Sequence, residues 1–351
     1  MTILTRFQGN AAVIQLNRPQ QYNATNLETI REISQFLLAC SANNHVKKII
    51  ITSDHPKAFC AGGDIRAAHD ALKNNDVSLG SLFFDEEYKS IYDLATCQKP
   101  IISLVNGLCF GGGMGLSMHN QYRIITENAV LGMPETIIGF FPDVAASFRF
   151  AQFPKPWANF YGLTGNTISN SHALKWNMAD YFVRSEFLPD LLNNLCINDS
   201  PEDTIKQFSQ SAPNEYVFGT DWICDVFSLD LSSIFKNLEN HGHHEAKKTL
   251  HDLKSRSPLS LLVTHKLLEM SPFLDLKKAL TLDHVIAMNF LKNPDFQEGI
   301  RAQVIDKDKN PKWRYEFSNI SEDMIRCFFT PTFLDCNFAI VILLLLLRKI
   351  L

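Results

Sequence analysis

The amino-acid sequence predicts an α/β fold in which parallel strands alternate with helices. Its first half contains short runs rich in β-branched residues, and these runs are separated by longer segments with apolar residues at helical spacing. Strands are predicted at 11–16, 47–52, 101–105, 122–126 and 130–133. Helices are predicted between them, at 26–41 and 84–97. Alternation of this kind is typical of parallel sheets, because a parallel strand needs a crossover connection.

The second half of the chain is predicted to be mostly helical from about residue 157. Residues 245–256 are charged and polar, and Pro258 then opens the run "PLSLLVTHKLLEM", where proline suits the first turn of a helix. Another helix is predicted at 276–292, before Pro294. We therefore divide the chain into a core at 1–250, a helical region at 251–326 and an apolar tail at 327–351.

Composition restricts the classes of partner. The 351 residues carry a net charge of −4, with a pI near 6.3. Nucleic acids and acidic membranes select basic surfaces, so neither is expected as a general partner. The eight cysteines are scattered without metal-ligand spacing, which predicts reduced thiols. The N-terminus "MTILTRFQGN" has neither a signal-peptide nor a transit-peptide pattern, so we expect a cytoplasmic location.

The apolar tail contains the ten-residue run "FAIVILLLLL" at 338–347. A bilayer-spanning helix takes about 20 residues, so a true span is not expected. A short hydrophobic helix, a weak interfacial anchor and a tail altered by sequence error all fit the run. The role of the tail stays open.

Two glycine-bearing turns follow predicted strands: "AFCAGGD" at 58–64 and "NGLCFGGGMGLS" at 106–117. The second turn lacks the spacing of a dinucleotide loop and has Gly113 where a P-loop would need lysine. A helix beginning near Gly112 and running through His119 would aim a backbone amide at a ligand oxygen, and Gly63 would supply a second amide. Such an oxyanion-hole donor is worth roughly 3 to 4 kcal/mol in a transition state. The alternative is that the glycines only permit tight turns and close packing.

Two acids lie in the apolar segment "MPETIIGFFPDV", Glu135 after Pro134 and Asp143 after Pro142. A desolvated carboxylate is costly unless it is paired or its pKa moves, so we expect the pKa values of this pair to separate. Two structural alternatives are open. Asp143 could cap a helix, and Glu135 could pair with a buried arginine.

Four stretches, in this order and spacing, carry a family resemblance: "NRPQQYNA" (17–24), "AFCAGGDIR" (58–66), "QKPIISLVNGLCFGGGMGLS" (98–117) and "MPETIIGFFPDV" (133–144). They resemble the crotonase, or enoyl-CoA hydratase/isomerase, superfamily. "FFDEEY" (83–88) and "NPDFQEGIRAQVIDKDKNPKW" (293–313) are similar, more narrowly, to its 3-hydroxyisobutyryl-CoA hydrolases. The resemblance covers residues 5 to 314.

The resemblance implies a crotonase-like spiral of ββα units with a helical C-terminal region. It implies that the amides of Gly63 and Gly112 form an oxyanion hole for the thioester oxygen. The positions that match substrate contacts are Glu87, Gly112, Glu135 and Asp143. The stretch 57–62, which includes Ala61, would approach the adenine end of CoA. For Glu87 a solvated helix face is the alternative.

Hydrolysis and hydration differ in the acids that they need. Hydration of an enoyl group benefits from two carboxyls near one water, and in hydratases of this superfamily the first stands where this chain has Gly115. A thioester hydrolase needs less, and we assign the catalytic roles to Glu135 and Asp143. Glu135 either attacks the thioester to form a mixed anhydride or activates water. Asp143 would accept a hydrogen bond from a 3-hydroxyl group.

The sequence departs from those hydrolases after "FPDV", where a glycine run is replaced by Ala145, Ala146 and Ser147. This difference bears on acyl-chain preference more than on the chemistry. Other candidates are weaker: "HGHHE" at 241–245 lacks metal-site spacing, and His69 and His119 are more often packed or surface residues. Cys60 is a minor candidate nucleophile.

The leading hypothesis is therefore a metal-independent hydrolase of 3-hydroxyisobutyryl-CoA, or of a related short 3-hydroxyacyl-CoA, in valine breakdown. It needs no cofactor, since CoA is part of the substrate. The alternatives are an enoyl-CoA hydratase or isomerase and a non-catalytic acyl-CoA-binding protein. The expected partner is the acyl-CoA, without nucleic acid. A homo-oligomer and a membrane contact through the tail are left open.

Overall fold

The structure is a computed structural model that describes residues 1–66, 77–212 and 220–331. These residues form two compact units, each made of segments that are separate in the chain. Unit 1 comprises 1–64, 86–132 and 167–212, and unit 2 comprises 65–66, 77–85, 133–166 and 220–331.

The strands all belong to unit 1. They are β1 (Ile3–Gln8), β2 (Ala11–Leu16), β3 (Lys48–Ser53), β4 (Ala58–Cys60), β5 (Ile101–Val105), β6 (Leu108–Phe110), β7 (Tyr122–Ile125), β8 (Val130–Gly132) and β9 (Tyr181–Phe182). The helices are α1 (Leu27–Ala42), α2 (Val77–Ala95), α3 (Gly112–Ser117), α4 (Ala146–Phe150), α5 (Lys155–Thr164), α6 (Asn170–Lys175), α7 (Leu188–Ile197), α8 (Pro201–Phe208), α9 (Asp221–Phe227), α10 (Leu231–Asn240), α11 (His244–Lys254), α12 (Pro258–Met270), α13 (Leu276–Leu291), α14 (Pro294–Ile300) and α15 (Glu322–Phe328).

Unit 1 contains two sheets. The larger has the order β1-β2-β3-β5-β7-β9, antiparallel between β1 and β2 and parallel elsewhere. The smaller has the parallel order β4-β6-β8. The successive pairs β3 and β4, β5 and β6, and β7 and β8 each place one strand in each sheet, and helices α2 and α3 follow the first two pairs. This repeat confirms the predicted α/β class and the crotonase-like spiral of ββα units.

The core of unit 1 explains why these runs become strands. Val13 pairs in register with Ile50, and Ile50 with Ile102, and all three side chains are fully buried. Leu191 and Leu195 of α7 pack into the same cluster. A fully buried aliphatic side chain contributes about 1.5–3 kcal/mol. Strands buried in this way show continuous apolar runs rather than alternation, as this sequence does.

In unit 2 an aromatic cluster anchors the segment that carries the two predicted catalytic acids. The ring of Phe140 lies 4.6 Å from that of Phe296, 5.3 Å from that of Phe290 and 5.6 Å from that of Phe84, measured between centroids. Phe141 is also fully buried and stacks on Phe290. These rings lock the middle of the "GFFPDV" segment into the core of the unit.

The five predicted strands are present; two have the predicted bounds, and the other three differ by one residue at one or both ends. Strands β1, β4, β6 and β9 were not predicted; β4, β6 and β9 have only two or three residues, too few to show a periodicity. The helix predicted to run through His119 is shorter, since α3 ends at Ser117 with Met118 as its C-cap. The predicted domain boundary at residue 250 falls inside α11, and the division stays a prediction.

Within the described residues, no helix combines the length and the hydropathy that a bilayer span requires. The apolar run at 338–347 and His69 both lie outside these residues.

Candidate active site

The two glycine turns meet at one edge of the smaller sheet. Strands β4 and β6 are neighbours and parallel, so the turns that follow them leave the sheet at the same edge. A Cβ built on Gly112 would lie 3.3 Å from the backbone nitrogen of Gly63. The structure therefore brings together the two glycines that the sequence analysis selected.

The surroundings of Gly112 leave no room for a side chain at this position. The same Cβ would lie 2.6 Å from Oε1 of Glu87 and 3.1 Å from Oγ1 of Thr25, both closer than ordinary contacts. Glu87 and Thr25 are buried, so neither side chain can move into solvent. Any larger residue at position 112 would displace the carboxylate of Glu87 or the turn that contains Gly63.

The backbone around Gly63 is fixed by a bridge to Thr25. Thr25 N donates to Gly62 O at 2.8 Å, and Asp64 N donates to Thr25 O at 2.7 Å. In a parallel bridge the central residue's own amide points to the opposite side, so the N–H of Gly63 is directed away from Thr25. Gly112 is the first residue of α3, where amides have no acceptor within the helix. Both amides can therefore donate to a ligand oxygen.

An ion pair braces the Gly63 turn from behind. Arg18 Nη2 lies 2.8 Å from Asp64 Oδ2, with side chains only 15% and 19% exposed. Arg18 Nη1 also donates to the carbonyl of Ala24. The buried amide of Asn23 donates to Phe59 O at 3.1 Å, which ties the same stretch to β4. The sequence analysis quoted "NRPQQYNA" as a family signature but missed this bracing role.

Glu87 is buried, with 3% of its surface exposed. Its neighbour Glu86 instead pairs with Arg31 at 2.6 Å on a more exposed face of α2. The solvated-face alternative for Glu87 is therefore wrong, and its carboxylate lies beside Gly112.

Cys60 and Ala61 belong to the first turn. The Cys60 thiol is fully buried, and burial raises its pKa to about 12. A thiol with that pKa stays protonated at neutral pH, so Cys60 lacks the thiolate that a nucleophile needs. Ala61 N donates to Tyr22 O at 3.0 Å. The adenine contact of Ala61 stays a prediction.

Glu135 opens a short 3-10 helix, Glu135–Ile138, in unit 2. The helix closes on Gly139, whose φ of 69° is left-handed, and Phe140 N donates to Glu135 O at 3.1 Å. Thr136 Oγ1 donates to Leu163 O at 3.0 Å and ties the turn to α5. Glu135 itself is half-buried. The stiff local backbone that its position after Pro134 suggested is present.

Asp143 is 5% exposed and is followed by two left-handed residues, Val144 (φ 52°) and Ala145 (φ 57°). The left-handed region costs a residue with a Cβ roughly 1–2 kcal/mol. The resembling hydrolases place glycines here, and glycine would adopt these angles freely. The N-cap residue of α4 is Ala145 and not Asp143, which argues against the helix-cap alternative for Asp143.

A third acid, which the sequence analysis missed, lies next to Asp143. Asp283 of α13 is fully buried, and its Oδ2 accepts a hydrogen bond of 2.6 Å from Ala145 N. Burial, and secondarily the charge of Asp143, raise the pKa of Asp283 well above its usual range. The sequence did hold a signal, because Asp283 falls at helical spacing among apolar residues of the predicted helix 276–292.

The described residues contain no group of three His, Cys, Asp or Glu side chains arranged to hold a metal ion. His243 is the N-cap of α11, and His244 is exposed at the helix start, as expected for "HGHHE". His119 is buried after α3. No disulfide links the seven described cysteines.

Comparisons with known proteins cover nearly the whole chain. A family model described as Enoyl-CoA hydratase/isomerase matches residues 11–329. The mitochondrial 3-hydroxyisobutyryl-CoA hydrolase of Xenopus tropicalis is 36% identical over 335 residues, which cover 92% of this chain and 87% of that protein. The small ribosomal subunit protein mS47 of Schizosaccharomyces pombe is 33% identical over 347 residues, covering 94% and 81%. The crystal structure of an enoyl-CoA hydratase from Rhodobacter sphaeroides 2.4.1 superposes with a TM-score of 0.88 at 31% identity, covering 94% and 98%.

Proposed function

The chain belongs to the enoyl-CoA hydratase/isomerase family, and we propose that within this family it hydrolyses the thioester of 3-hydroxyisobutyryl-CoA, or of a closely related short 3-hydroxyacyl-CoA. The products are the free acid and CoA, and we place the reaction in valine breakdown. The name of the similar Xenopus protein supports this substrate.

One observation carries the proposal: the backbone amide of Gly63 lies close to Gly112, and neither residue has a side chain that could block a ligand. Two backbone donors aimed at one carbonyl oxygen would stabilise the negative charge that develops there when the thioester is attacked. Because the donors are fixed by β4, β6 and the Arg18 brace, they need no reorganisation during the reaction.

Glu135 is the proposed reactive carboxylate. As a nucleophile, its oxygen bonds to the carbonyl carbon, the C–S bond breaks, and CoA leaves as the thiolate. Water then opens the mixed anhydride, which releases the acid and restores Glu135. As a general base, Glu135 would instead take a proton from the attacking water. Label found in the Glu135 peptide after a single turnover in ¹⁸O-labelled water assigns the anhydride route, because only attack of water on the glutamyl carbon of the anhydride can place it there.

Asp143, Glu87 and Ala61 complete the proposed binding roles. Asp143 accepts a hydrogen bond from the 3-hydroxyl, which favours hydroxylated acyl groups. Glu87 contacts the substrate beside Gly112, where its carboxylate already lies. Ala61 contacts the adenine end of CoA through its main chain. No metal or further cofactor takes part in these steps.

Two rival functions have support from the similar proteins. Hydration is suggested by the name of the Rhodobacter enzyme, but the position that carries the first acid in hydratases is Gly115 here, within α3. A binding role without catalysis is suggested by the ribosomal relative. The net charge of −4 gives no electrostatic support to contact with RNA phosphates.

The test measures thiol release from 3-hydroxyisobutyryl-CoA by the wild type, by Glu135→Ala and by a control, Glu269→Ala, which removes an exposed glutamate. We expect Glu135→Ala to lower kcat about 10²- to 10⁴-fold and the control to match the wild type. Crotonyl-CoA is followed in parallel by its absorbance. Loss of the conjugated band without free CoA would assign hydration, and tight binding without turnover would assign the non-catalytic role.

Cellular location belongs to the same proposal. The cytoplasmic location stays an expectation, and the printed name of the Xenopus relative places that protein in mitochondria. Fractionation of cells that express the full chain, with markers for both compartments, distinguishes the two locations.

A further inference from the structure

Asp283 is a buried acid in an apolar helix. It lies on α13 with none of its surface exposed, on the face that also buries Leu280, Ile286 and Ala287. Its Oδ1 has no hydrogen-bond partner among the described residues, and its Oδ2 has one, the amide of Ala145. A carboxyl group with so few partners is costly to bury, so its retention calls for a specific role.

The contact with Ala145 holds a strained piece of backbone. Ala145 N and Asp283 Oδ2 are 2.6 Å apart and 138 residues apart in the chain. Val144 and Ala145 both adopt left-handed angles, which a β-branched residue such as valine rarely does. Residues in such angles persist only where the surroundings hold them, and the Asp283 acceptor is one such hold.

We propose that Asp283 is a positioning residue: its carboxyl holds the Ala145 amide, fixes the left-handed Val144–Ala145 turn and so sets the direction in which Asp143 faces. The inference rests on the proposed function, in which Asp143 recognises the 3-hydroxyl of the substrate. Asp283 acts through Asp143, so its loss alters acyl-group selectivity more than the ability to cleave a thioester.

Electrostatics agree with this role. Burial, and then the charge of Asp143, raise the pKa of Asp283, which favours its neutral form. A neutral carboxyl can keep its Oδ2 as an acceptor for the Ala145 amide without placing a second negative charge beside Asp143. Asparagine offers the same acceptor and the same neutrality, so it should substitute for the acid.

The experiment compares two substrates, 3-hydroxyisobutyryl-CoA and isobutyryl-CoA, which lacks the hydroxyl. The measured quantity is the ratio of their kcat/KM values. Asp283→Ala removes the acceptor, Asp283→Leu removes it while filling the space, and Asp283→Asn keeps it. Met288→Ala is the matched control, since it truncates another buried side chain of α13 and leaves the Ala145 contact intact.

We expect Asp283→Ala and Asp283→Leu to lower the selectivity ratio about tenfold, because an unsatisfied buried amide and a released turn cost on that scale. Asp283→Asn and Met288→Ala should stay within about threefold of the wild type. An unchanged ratio in both acceptor-free variants, or loss of selectivity in Asp283→Asn, would overturn the positioning role.

Failure of the proposed function is separable from failure of this inference. If the wild type cleaves neither ester, the function is wrong, and the positioning role is judged by amide hydrogen exchange of residues 143–146. Faster exchange in Asp283→Leu than in Met288→Ala would support the hold on Ala145. Equal exchange in the two variants would overturn it.

Discussion

The two glycine turns of unit 1 and the acidic segment of unit 2 are built on opposite principles. The turns owe their geometry to missing side chains, to adjacent parallel strands and to the Arg18–Asp64 ion pair. The acidic segment, Glu135 to Ala145, depends on distant contacts: Phe140 on Phe296, Thr136 on Leu163 and Ala145 on Asp283. The roles proposed for unit 1 thus fall mainly on backbone amides, and the roles proposed for unit 2 fall on carboxylate side chains.

The strongest way to break this comparison is to add a side chain at Gly112. We expect Gly112→Ala to lower kcat/KM about 10²- to 10³-fold, because the new Cβ would meet Glu87 Oε1 at 2.6 Å and disturb the approach of Gly63. Steady-state thiol release measures the effect. The control is Gly242→Ala, since a Cβ there meets nothing within 4 Å.

Equal activity of Gly112→Ala and Gly242→Ala, with both proteins folded by circular dichroism, would remove Gly112 from the oxyanion-binding role. It would also weaken the view that missing side chains set the geometry of unit 1.

A smaller effect is expected from breaking the Arg18–Asp64 ion pair, which supports the turn that contains Gly63. Asp64→Ala removes the partner of Arg18, whose side chain is only 15% exposed, so the 61–64 turn loses one of the contacts that fix it. Hydrogen bonds to charged groups are worth about 1.5–3 kcal/mol, and we expect kcat to fall roughly tenfold. Glu202→Ala is the control, because it breaks an exposed i,i+4 pair with Lys206 that should contribute little.

If Asp64→Ala changes only the melting temperature and leaves kcat at the wild-type value, the brace is structural. The Thr25 bridge and the hydrogen bond from Ala61 N to Tyr22 O would then suffice to hold the turn that contains Gly63.

The same contrast explains what could be read from the sequence. The strands, the two glycine turns and the pairing of Gly63 with Gly112 follow from local patterns and from the rule that ligand sites lie at the carboxyl ends of parallel strands. The Arg18–Asp64 pair joins residues 46 apart, and contacts such as the bridge of Thr25 to Gly63 bring those segments together. No periodicity encodes such a pairing.

The acidic segment was harder to predict for a physical reason. The apolar setting of Glu135 and Asp143 identified both acids as candidates. The charge of Asp143 raises the pKa of Asp283, however, and Asp283 lies far away in the chain. Burial of Asp283 was detectable, since an acid at helical spacing within an apolar face has to be paired or neutral. The contact of Asp283 with Ala145 could not be predicted. Val144 and Ala145 form the left-handed turn where the resembling hydrolases have glycines, so the sequence gives no turn signal there.

The smallest expected effect is a pH dependence of the stability of the folded chain, caused by Asp283 in the acidic segment. The pKa of Asp283 is higher in the folded chain than in the unfolded chain, so the folded state binds the extra proton. The contribution of Asp283 to the free energy of unfolding is therefore fully present below the pKa of the unfolded chain, about 3.9. It is lost as the pH rises towards the folded pKa. Asp283→Asn removes the titration, so its melting temperature should gain on the wild type as the pH rises from 5 to 8.

Asp143→Asn gives the matched comparison for this prediction. The charge of Asp143 contributes to the raised pKa of Asp283, though less than burial does. Without that charge the folded pKa drops, so the pH-dependent loss of stability attributable to Asp283 narrows but persists. A melting-temperature difference between Asp283→Asn and the wild type that stays constant with pH would mean that Asp283 titrates normally. Burial of Asp283 would then impose no pH-dependent cost on the acidic segment.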